Sequence, residues 1–272
     1  MWGFYNRLVM NLLVFDVDGT LLPFGREVPS KENIDAISER LAKGDVVAIA
    51  SGRPFPAIKR FLDLFGPGKK YAVAANGACI YDIDGNVIGL NGITLGDFRS
   101  FVKRHHEIVD KGGHVYVYLP SELGYYHFNE SVEWEINCNY FPGRDLSVNP
   151  LTDDSSVLKM MVSASPSLID EIVLDDEDKV FNVLRTDPHY LELMNPKADK
   201  ATATDTLRNM LGLDKEHVYT FGDQGNDLRM IGEFQGVAMG NAIDGVKKVA
   251  KFITKNDDED GVAYALRYFV KD

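Results

Sequence analysis

Residues 12–22 read LLVFDVDGTLL, and no other stretch limits the possible folds of this chain so strongly. Four apolar residues, Leu12 to Phe15, run directly into Asp16, then Asp18 two positions on, then Gly19. A strand that is apolar on both faces belongs in a parallel sheet covered by helices on both sides. Carboxylates just past its end lie where such sheets bind ligands, in the crevice beyond the carboxyl ends of the strands.

The flanking sequence keeps the same rhythm. Residues 12–16, 46–50 and 71–75 read as strands. Residues 30–43 read as a helix, with Ser30 as its cap, Ile34, Ile37 and Leu41 on one face, and Gly44 at its end. Pro54 and Pro56 suit the entry to a second helix that ends near Gly66. Asn76-Gly77 and Asp84-Gly85 are hairpin signals around 79–81 and 87–90. The pattern then becomes richer in aromatics and turns. Strands are expected at 115–119, 125–129, 159–163, 181–186 and 190–194, and helices at 95–111 and 165–176. After about residue 191 the strand–helix alternation returns, with helices at 201–211, 227–232, 243–250 and 261–270 and strands at 218–221, 236–238 and 252–254. The expectation is an α/β fold: a doubly wound, mostly parallel, Rossmann-like core over 1–82 and 191–272, with an α+β cap inserted over 83–190. Hinges for the cap are expected near 76–84 and 189–196.

Composition removes several functional classes. With 29 Lys+Arg against 41 Asp+Glu, the net charge is −12, which disfavours nucleic acid and anionic membrane surfaces as partners. A small anionic substrate stays compatible, because a few local cations can serve one pocket. The two cysteines, Cys79 and Cys138, form no CxxC pattern, which fits a reducing cytoplasm and argues against a thiolate metal site. No stretch approaches the ~18 consecutive apolar residues of a membrane span. The N-terminal MWGFYNRLVMNLLVF reads as a short leader running into the first strand, with no targeting role.

The strand ends collect chemistry on one rim. Asp16 and Asp18 follow the first strand, and Ser51, Gly52 and Arg53 follow the second. Gly222-Asp223-Gln224-Gly225-Asn226-Asp227 follows the strand at 218–221, and Lys200 opens the helix that precedes it. Asp16 and Asp18, at i and i+2, face the same way if the strand stays extended. Four acids so close repel one another unless a cation neutralises them or one is protonated. An all-oxygen donor set with no His or Cys cluster favours Mg²⁺ over Zn²⁺. A Mg²⁺ site with spare carboxylates suggests phosphoryl chemistry, with Ser51, Lys200 and the amides of Val17 and Gly52 as donors to the phosphate oxygens.

These motifs, in this order, resemble those of the haloacid dehalogenase superfamily: DVDGTLL at 16–22, ASGR at 50–53, Lys200 in ADKATATDTL, and FGDQGND at 221–227. The tail VAMGNAIDGVKKVAKFIT followed by NDDEDGVAYAL resembles the Cof-type branch, subfamily IIB, whose large α+β cap occupies the position of the insert here. The resemblance implies a Mg²⁺-dependent phosphatase acting on a small phosphorylated metabolite, a sugar phosphate first, through an aspartyl-phosphate. It implies Asp16 as nucleophile and metal ligand, and Asp18 as general acid/base with its backbone carbonyl on the metal. By the same resemblance Ser51 and Lys200 would hold the phosphoryl group, Asp223 would ligate Mg²⁺, and Asp227 would support the metal site. The resemblance also implies that Asn226 would contact the phosphate, and Arg53 the phosphate or the rest of the substrate. Lys200 is preferred over nearby Lys197 because it directly precedes the amphipathic helix.

Two other readings stay open from sequence: a phosphomutase of the same superfamily, and a phospho-acceptor module without turnover. The chain length and the inserted segment weigh against the second. The six histidines form no constellation and read as structural or exposed. The alternating Tyr116, Tyr118, Tyr125, Tyr126 and Phe128 read as a half-buried cap sheet in preference to a substrate-facing wall. The acidic run at 257–260 reads as a solvated loop. The protein is expected to act as a monomer or weak homodimer.

Overall fold

The computed structural model describes residues 10–271, so the expected leader over residues 1–9 lies outside the described residues. The first segment comprises β1 (Leu12–Phe15), α1 (Lys31–Ala42), β2 (Val46–Ala50), α2 (Phe55–Leu62), β3 (Lys70–Ala74), β4 (Cys79–Asp82) and β5 (Val87–Leu90). The middle segment comprises β6 (Ile93–Thr94), α3 (Leu95–Arg104), α4 (His106–Asp110), β7 (His114–Tyr118), β8 (Leu123–Tyr125), α5 (Glu130–Asn139), β9 (Gly143–Asp145), β10 (Ser156–Val157), β11 (Lys159–Ser163), α6 (Pro166–Glu171), β12 (Asn182–Asp187) and β13 (Tyr190–Met194). The last comprises α7 (Lys200–Leu211), β14 (Val218–Gly222), α8 (Leu228–Glu233), β15 (Gln235–Ala238), α9 (Asp244–Val249), β16 (Phe252–Ile253) and α10 (Gly261–Tyr268).

Eight strands form one sheet in the order β16-β15-β14-β1-β2-β3-β4-β5. All are parallel except β4 and β5, which extend one edge as antiparallel strands. The chain winds outward from β1 through β2 and β3, then re-enters beside β1 at β14. The strand order therefore reverses between β1 and β14, and a crevice opens at such a switch point. Both faces are covered, as the unbroken apolar run of β1 requires. Leu13 and Phe15 pack with Ile37 and Leu41 of α1 and with Leu266 of α10. Leu12 and Val14 pack with Ala203 and Leu207 of α7 and with Met230 of α8. Burial on both faces is what lets this strand be read from four consecutive apolar residues. Ser30 caps α1 by accepting from the Asn33 backbone N–H, as expected.

The second sheet, in the order β12-β13-β11-β7-β8-β9, is antiparallel except for β8 and β9. Side chains alternate across it. Val117, Met160, Val162, Leu191 and Leu193 bury against Phe98, Phe101 and Ile108 of α3 and α4. The intervening positions, Tyr116, Tyr118, Lys159 and Glu192, take the other face.

Four expectations need correction. The divisions at 82/83 and 190/191 fall inside sheets. Gly85, at φ +91°, closes the turn that returns β5 onto β4, so 87–90 lengthens the first sheet. Tyr190–Met194 pairs on both sides, with β11 and β12, so it belongs to the second sheet. The chain crosses between the sheets at Asn91–Gly92 and after Met194, where the Asn195 side chain donates to the Gly92 carbonyl at 2.8 Å. The two crossings lie side by side, and the expected hinge at 76–84 is instead internal to the first sheet. The helix expected over 95–111 breaks at His105, which is buried with its imidazole 2.6 Å from Asp178. Residues 125–129 leave the strand at Tyr125, and α5, not anticipated, begins at Glu130 with Asn129 as its cap.

Candidate active site

The end of β1 sets the site. Phe15 lies in register with Ile49 of β2 on one side and Phe221 of β14 on the other, so the loops after all three strands leave the sheet together. The Asp16 backbone N–H donates to the Phe221 carbonyl at 3.0 Å, one step beyond the last registered pair. The strand does not stay extended to Asp18. The chain folds back at once, with the Leu22 N–H on the Val17 carbonyl at 2.8 Å. Gly19 sits at φ +79°, and a Cβ there would lie 2.5 Å from Asp223 Oδ2. Only glycine fits both the backbone angle and the close approach.

Consequently Asp16 and Asp18 part company. Asp16 is 6% exposed, and its carboxylate accepts from Lys200 Nζ at 2.5 Å. The same ammonium donates to Asp227 Oδ1 at 2.7 Å. The other oxygen of Asp227 accepts from the backbone N–H groups of Asp223 and Gln224 at 3.0 and 3.1 Å. Asp223 completes the group, with Thr20 Oγ1 and Gln224 Nε2 donating to its two oxygens. Lys200 stands at the first position of α7, behind Asp199, which caps that helix. The β3–β4 turn packs against this point: a Cβ on Gly77, at φ +98°, would lie 2.4 Å from the Asp199 carbonyl oxygen. Exposed Lys197 takes no part.

The ligand oxygens of Asp16, Asp223 and Asp227 all lie within 4.8 Å of one another. Three carboxylates against one ammonium leave two negative charges. Burial, reinforced by Asp227, pushes the Asp16 carboxyl up to about 8 despite Lys200. Burial and Asp227 likewise push Asp223 up to about 6. For Lys200 burial acts downward, but the charges of Asp16 and Asp227 outweigh it and raise the group above the ordinary lysine range. Three clustered oxygen donors with an unbalanced charge of two fit a hard divalent cation such as Mg²⁺. The Asp18 carboxylate is not part of this cluster.

Asp18 instead projects outward and receives Arg53 in a two-pronged contact, Nε to Oδ2 at 2.9 Å and Nη2 to Oδ1 at 2.7 Å. Ser51 is buried just past β2, and its hydroxyl accepts from the Arg53 N–H at 3.3 Å. Val17 is buried in the turn and Gly52 borders the crevice. Asn226, exposed, donates to Asn76 Oδ1 at 3.2 Å. Asn76 itself holds φ +54° between Ala75 at +47° and Gly77 at +98°. Left-handed backbone over three residues is a strained arrangement that gathers at functional sites. In sequence Asn76-Gly77 is legible as a turn and as part of the expected hinge at 76–84, and its place on this rim has no sequence signal.

Sequence reasoning also missed the opposite wall. A cavity of about 500 Å³ lies between Gly52 and Arg53 on one side and the second sheet on the other. Its far wall includes Tyr118, Glu135, Asn139 and Lys159. Lys159 Nζ reaches the Gly52 carbonyl at 3.3 Å, which links the two sheets beside the rim. Tyr118 therefore faces a cavity, so the half-buried-sheet reading of the aromatics was incomplete. Among the described residues no helix is long and apolar enough to cross a membrane.

Residues 13–266 match the profile of the haloacid dehalogenase-like hydrolase family, and the chain belongs to that family. Its curated relatives are named as phosphatases, which makes the chain an enzyme of the phosphoric monoester hydrolase type. It is 29% identical over 264 residues to the 5-amino-6-(5-phospho-D-ribitylamino)uracil phosphatase YcsE of Bacillus subtilis (strain 168), covering 96% of each chain. It is similar to the crystal structure of TM0651 from Thermotoga maritima, with a TM-score of 0.82, 27% identity, and coverage of 97% of this chain and 99% of that one. The fold also matches that of BT4131, a subclass IIB sugar phosphatase, with a TM-score of 0.75 at 24% identity over 96% of this chain and 99% of that one.

Proposed function

We propose that the protein is a Mg²⁺-dependent phosphatase that hydrolyses a small phosphomonoester, a sugar phosphate or related polyol phosphate, through an aspartyl-phosphate on Asp16. The observation that carries this reading is the buried cluster of Asp16, Asp223, Asp227 and Lys200 at the switch point between β1 and β14. Asp16, Asp223 and the Asp18 backbone carbonyl would hold the cation, with Asp227 behind them. Bound Mg²⁺ would neutralise the crowded carboxylates and draw charge from the phosphoryl oxygens.

The chain's own groups then divide the work. Ser51, Lys200 and the amides of Val17 and Gly52 bind the non-bridging oxygens and orient phosphorus in line with Asp16. A carboxylate oxygen of Asp16 forms a bond to phosphorus as the bond to the leaving oxygen breaks. Asp18 gives its proton to that oxygen, which departs as an alcohol. Asp18 then takes a proton from water as the water oxygen attacks phosphorus, and the bond to Asp16 breaks to release phosphate. Arg53 must loosen its two-pronged hold before Asp18 can carry a proton, and an arriving phosphate dianion is a competing partner for the guanidinium. The cytoplasm is the compartment this reading assigns, and the enzyme would work as a monomer or weak homodimer.

The test is phosphate release from a panel of sugar phosphates, ribityl and flavin phosphates and pyridoxal phosphate, with and without Mg²⁺. Mg²⁺-dependent release is expected. Conversion of a sugar phosphate to an isomer without free phosphate would replace this reading with a mutase. Phosphate retained on Asp16 without release would replace it with a phospho-acceptor.

A further inference from the structure

The cavity beside Arg53 is uneven in charge, and Glu135 of α5 is the reason. Glu135 is 4% exposed and belongs to the cavity wall. Its Oε1 accepts from Tyr116 Oη at 3.2 Å, and its Oε2 accepts from Tyr118 Oη and, at 2.7 Å, from Asn139 Nδ2. Burial and the neighbouring Glu135 charge push both phenols well above their ordinary range, so both remain donors. Among the described residues no cationic side chain pairs with Glu135. A carboxylate offers about four acceptor positions, so three neutral donors leave about one for a ligand. A buried carboxylate without a cation is held in place only at considerable desolvation cost.

The cations nearby are committed elsewhere. Lys159 Nζ lies 2.9 Å from Glu192 and 4.5 Å from the centre of the Tyr118 ring. Arg53 is engaged with Asp18. Asp187 adds a further carboxylate at the cavity. We propose that this cavity selects the leaving group by charge: it accepts an alcohol bearing neutral hydroxyls or an ammonium group, with Glu135 receiving one of those donors, and rejects an alcohol carrying a second anion. The proposal rests on the phosphatase reading above.

The experiment measures kcat/KM of the Mg²⁺-loaded enzyme on four probes: p-nitrophenyl phosphate, glucose 6-phosphate, glucosamine 6-phosphate and 6-phosphogluconate. The amino sugar is expected to match or exceed glucose 6-phosphate, and both should exceed 6-phosphogluconate by about tenfold or more, the usual scale of a like-charge clash in a partly desolvated site. Glu135→Gln, close in shape, should shrink the ratio of glucosamine 6-phosphate to 6-phosphogluconate by about tenfold. If that variant fails to fold, Asp187→Asn at the exposed side should move the ratio in the same direction. A wild-type enzyme that handles 6-phosphogluconate as well as the amino sugar overturns the proposal, as does an unchanged ratio in a folded variant. Absence of turnover on every probe, p-nitrophenyl phosphate included, overturns the phosphatase reading itself, which separates the two failures.

Discussion

Arg53 holds both carboxylate oxygens of Asp18, at 2.9 and 2.7 Å, and so keeps the candidate acid/base outside the buried cluster that contains Asp16. The two aspartates of one DVD motif thereby acquire different environments. One is packed against a lysine and two more acids. The other waits at the mouth with a guanidinium. Residue-level expectations follow from that division.

Arg53→Lys keeps the charge but not the fork, because one ammonium cannot span both oxygens. Its kcat/KM should fall about tenfold and that of Arg53→Ala about a hundredfold, with Asp18 left unpositioned. Steady-state phosphate release checks both. Wild-type kinetics in Arg53→Ala would remove Arg53 from the reaction.

Asp16→Asn removes the nucleophile while preserving shape. Turnover should drop by on the order of 10⁴-fold. Above about pH 8, where Asp16 is ionised, the metal-free variant should melt at a higher temperature than the metal-free wild type, because the crowded, desolvated negative charge is gone. Activity close to wild type, or a large fall in melting temperature, would contradict the role given to Asp16.

Metal-free stability should depend on pH in a definite direction. The Asp16 carboxyl is raised from 3.8 to about 8, and Asp223 to about 6, so between these limits the folded chain binds more protons than the unfolded chain. Stability is then greatest below about pH 4 as far as these groups are concerned, and is lost as pH rises toward 8. Mg²⁺ should restore it most at the alkaline end. Melting curves in chelator and in Mg²⁺ at pH 5 and pH 8 test this, and a chelated protein indifferent to pH would refute it.

Lys200→Met strips from the cluster the ammonium that pairs with Asp16 and Asp227 and leaves those buried carboxylates unpaired. Loss of one partner from such a site costs about 3–5 kcal/mol. Denaturant midpoints should fall accordingly in chelator and recover in part with Mg²⁺. An unaltered midpoint would mean that the buried ion pairs of Lys200 with Asp16 and Asp227 contribute little.

Gly19→Ala places a methyl group against Asp223 at a backbone angle that L residues avoid. Mg²⁺ affinity, measured by titration of the melting temperature, should weaken more than tenfold, since ligand geometry depends on close support around the site. Unchanged Mg²⁺ dependence would show that the 19–20 turn can yield without moving Asp223.

Much of the first sheet was readable because its strands are buried on both faces and its helices carry one apolar stripe each. β1 and β2 of that sheet, and β11 and β13 of the second, lie where continuous or alternating apolar residues placed them. α5 was not readable, because its inward face is built from Glu135 and Asn139 against tyrosines, with only Val132 as a fully apolar buried contact. A helix held by polar tertiary contacts has no hydrophobic period to detect. The break at His105 had the same origin: Asp178, 73 residues away, supplies its partner.

The chain's local order was enough to specify the parallel sheet, the acids at its strand ends and Lys200 beside them, because strand ends and helix starts are set by residues a few positions apart. Local order left Asp16 and Asp18 equivalent. Only the assembled sheet separates them, through the turn at Gly19 and the approach of Arg53 from the loop after β2. The cavity wall is tertiary throughout. Tyr118, Glu135, Asn139 and Lys159 come from three elements, and neither burial nor hydrogen-bond partners pass along the chain. Those depend on which surfaces meet when the second sheet folds over the first.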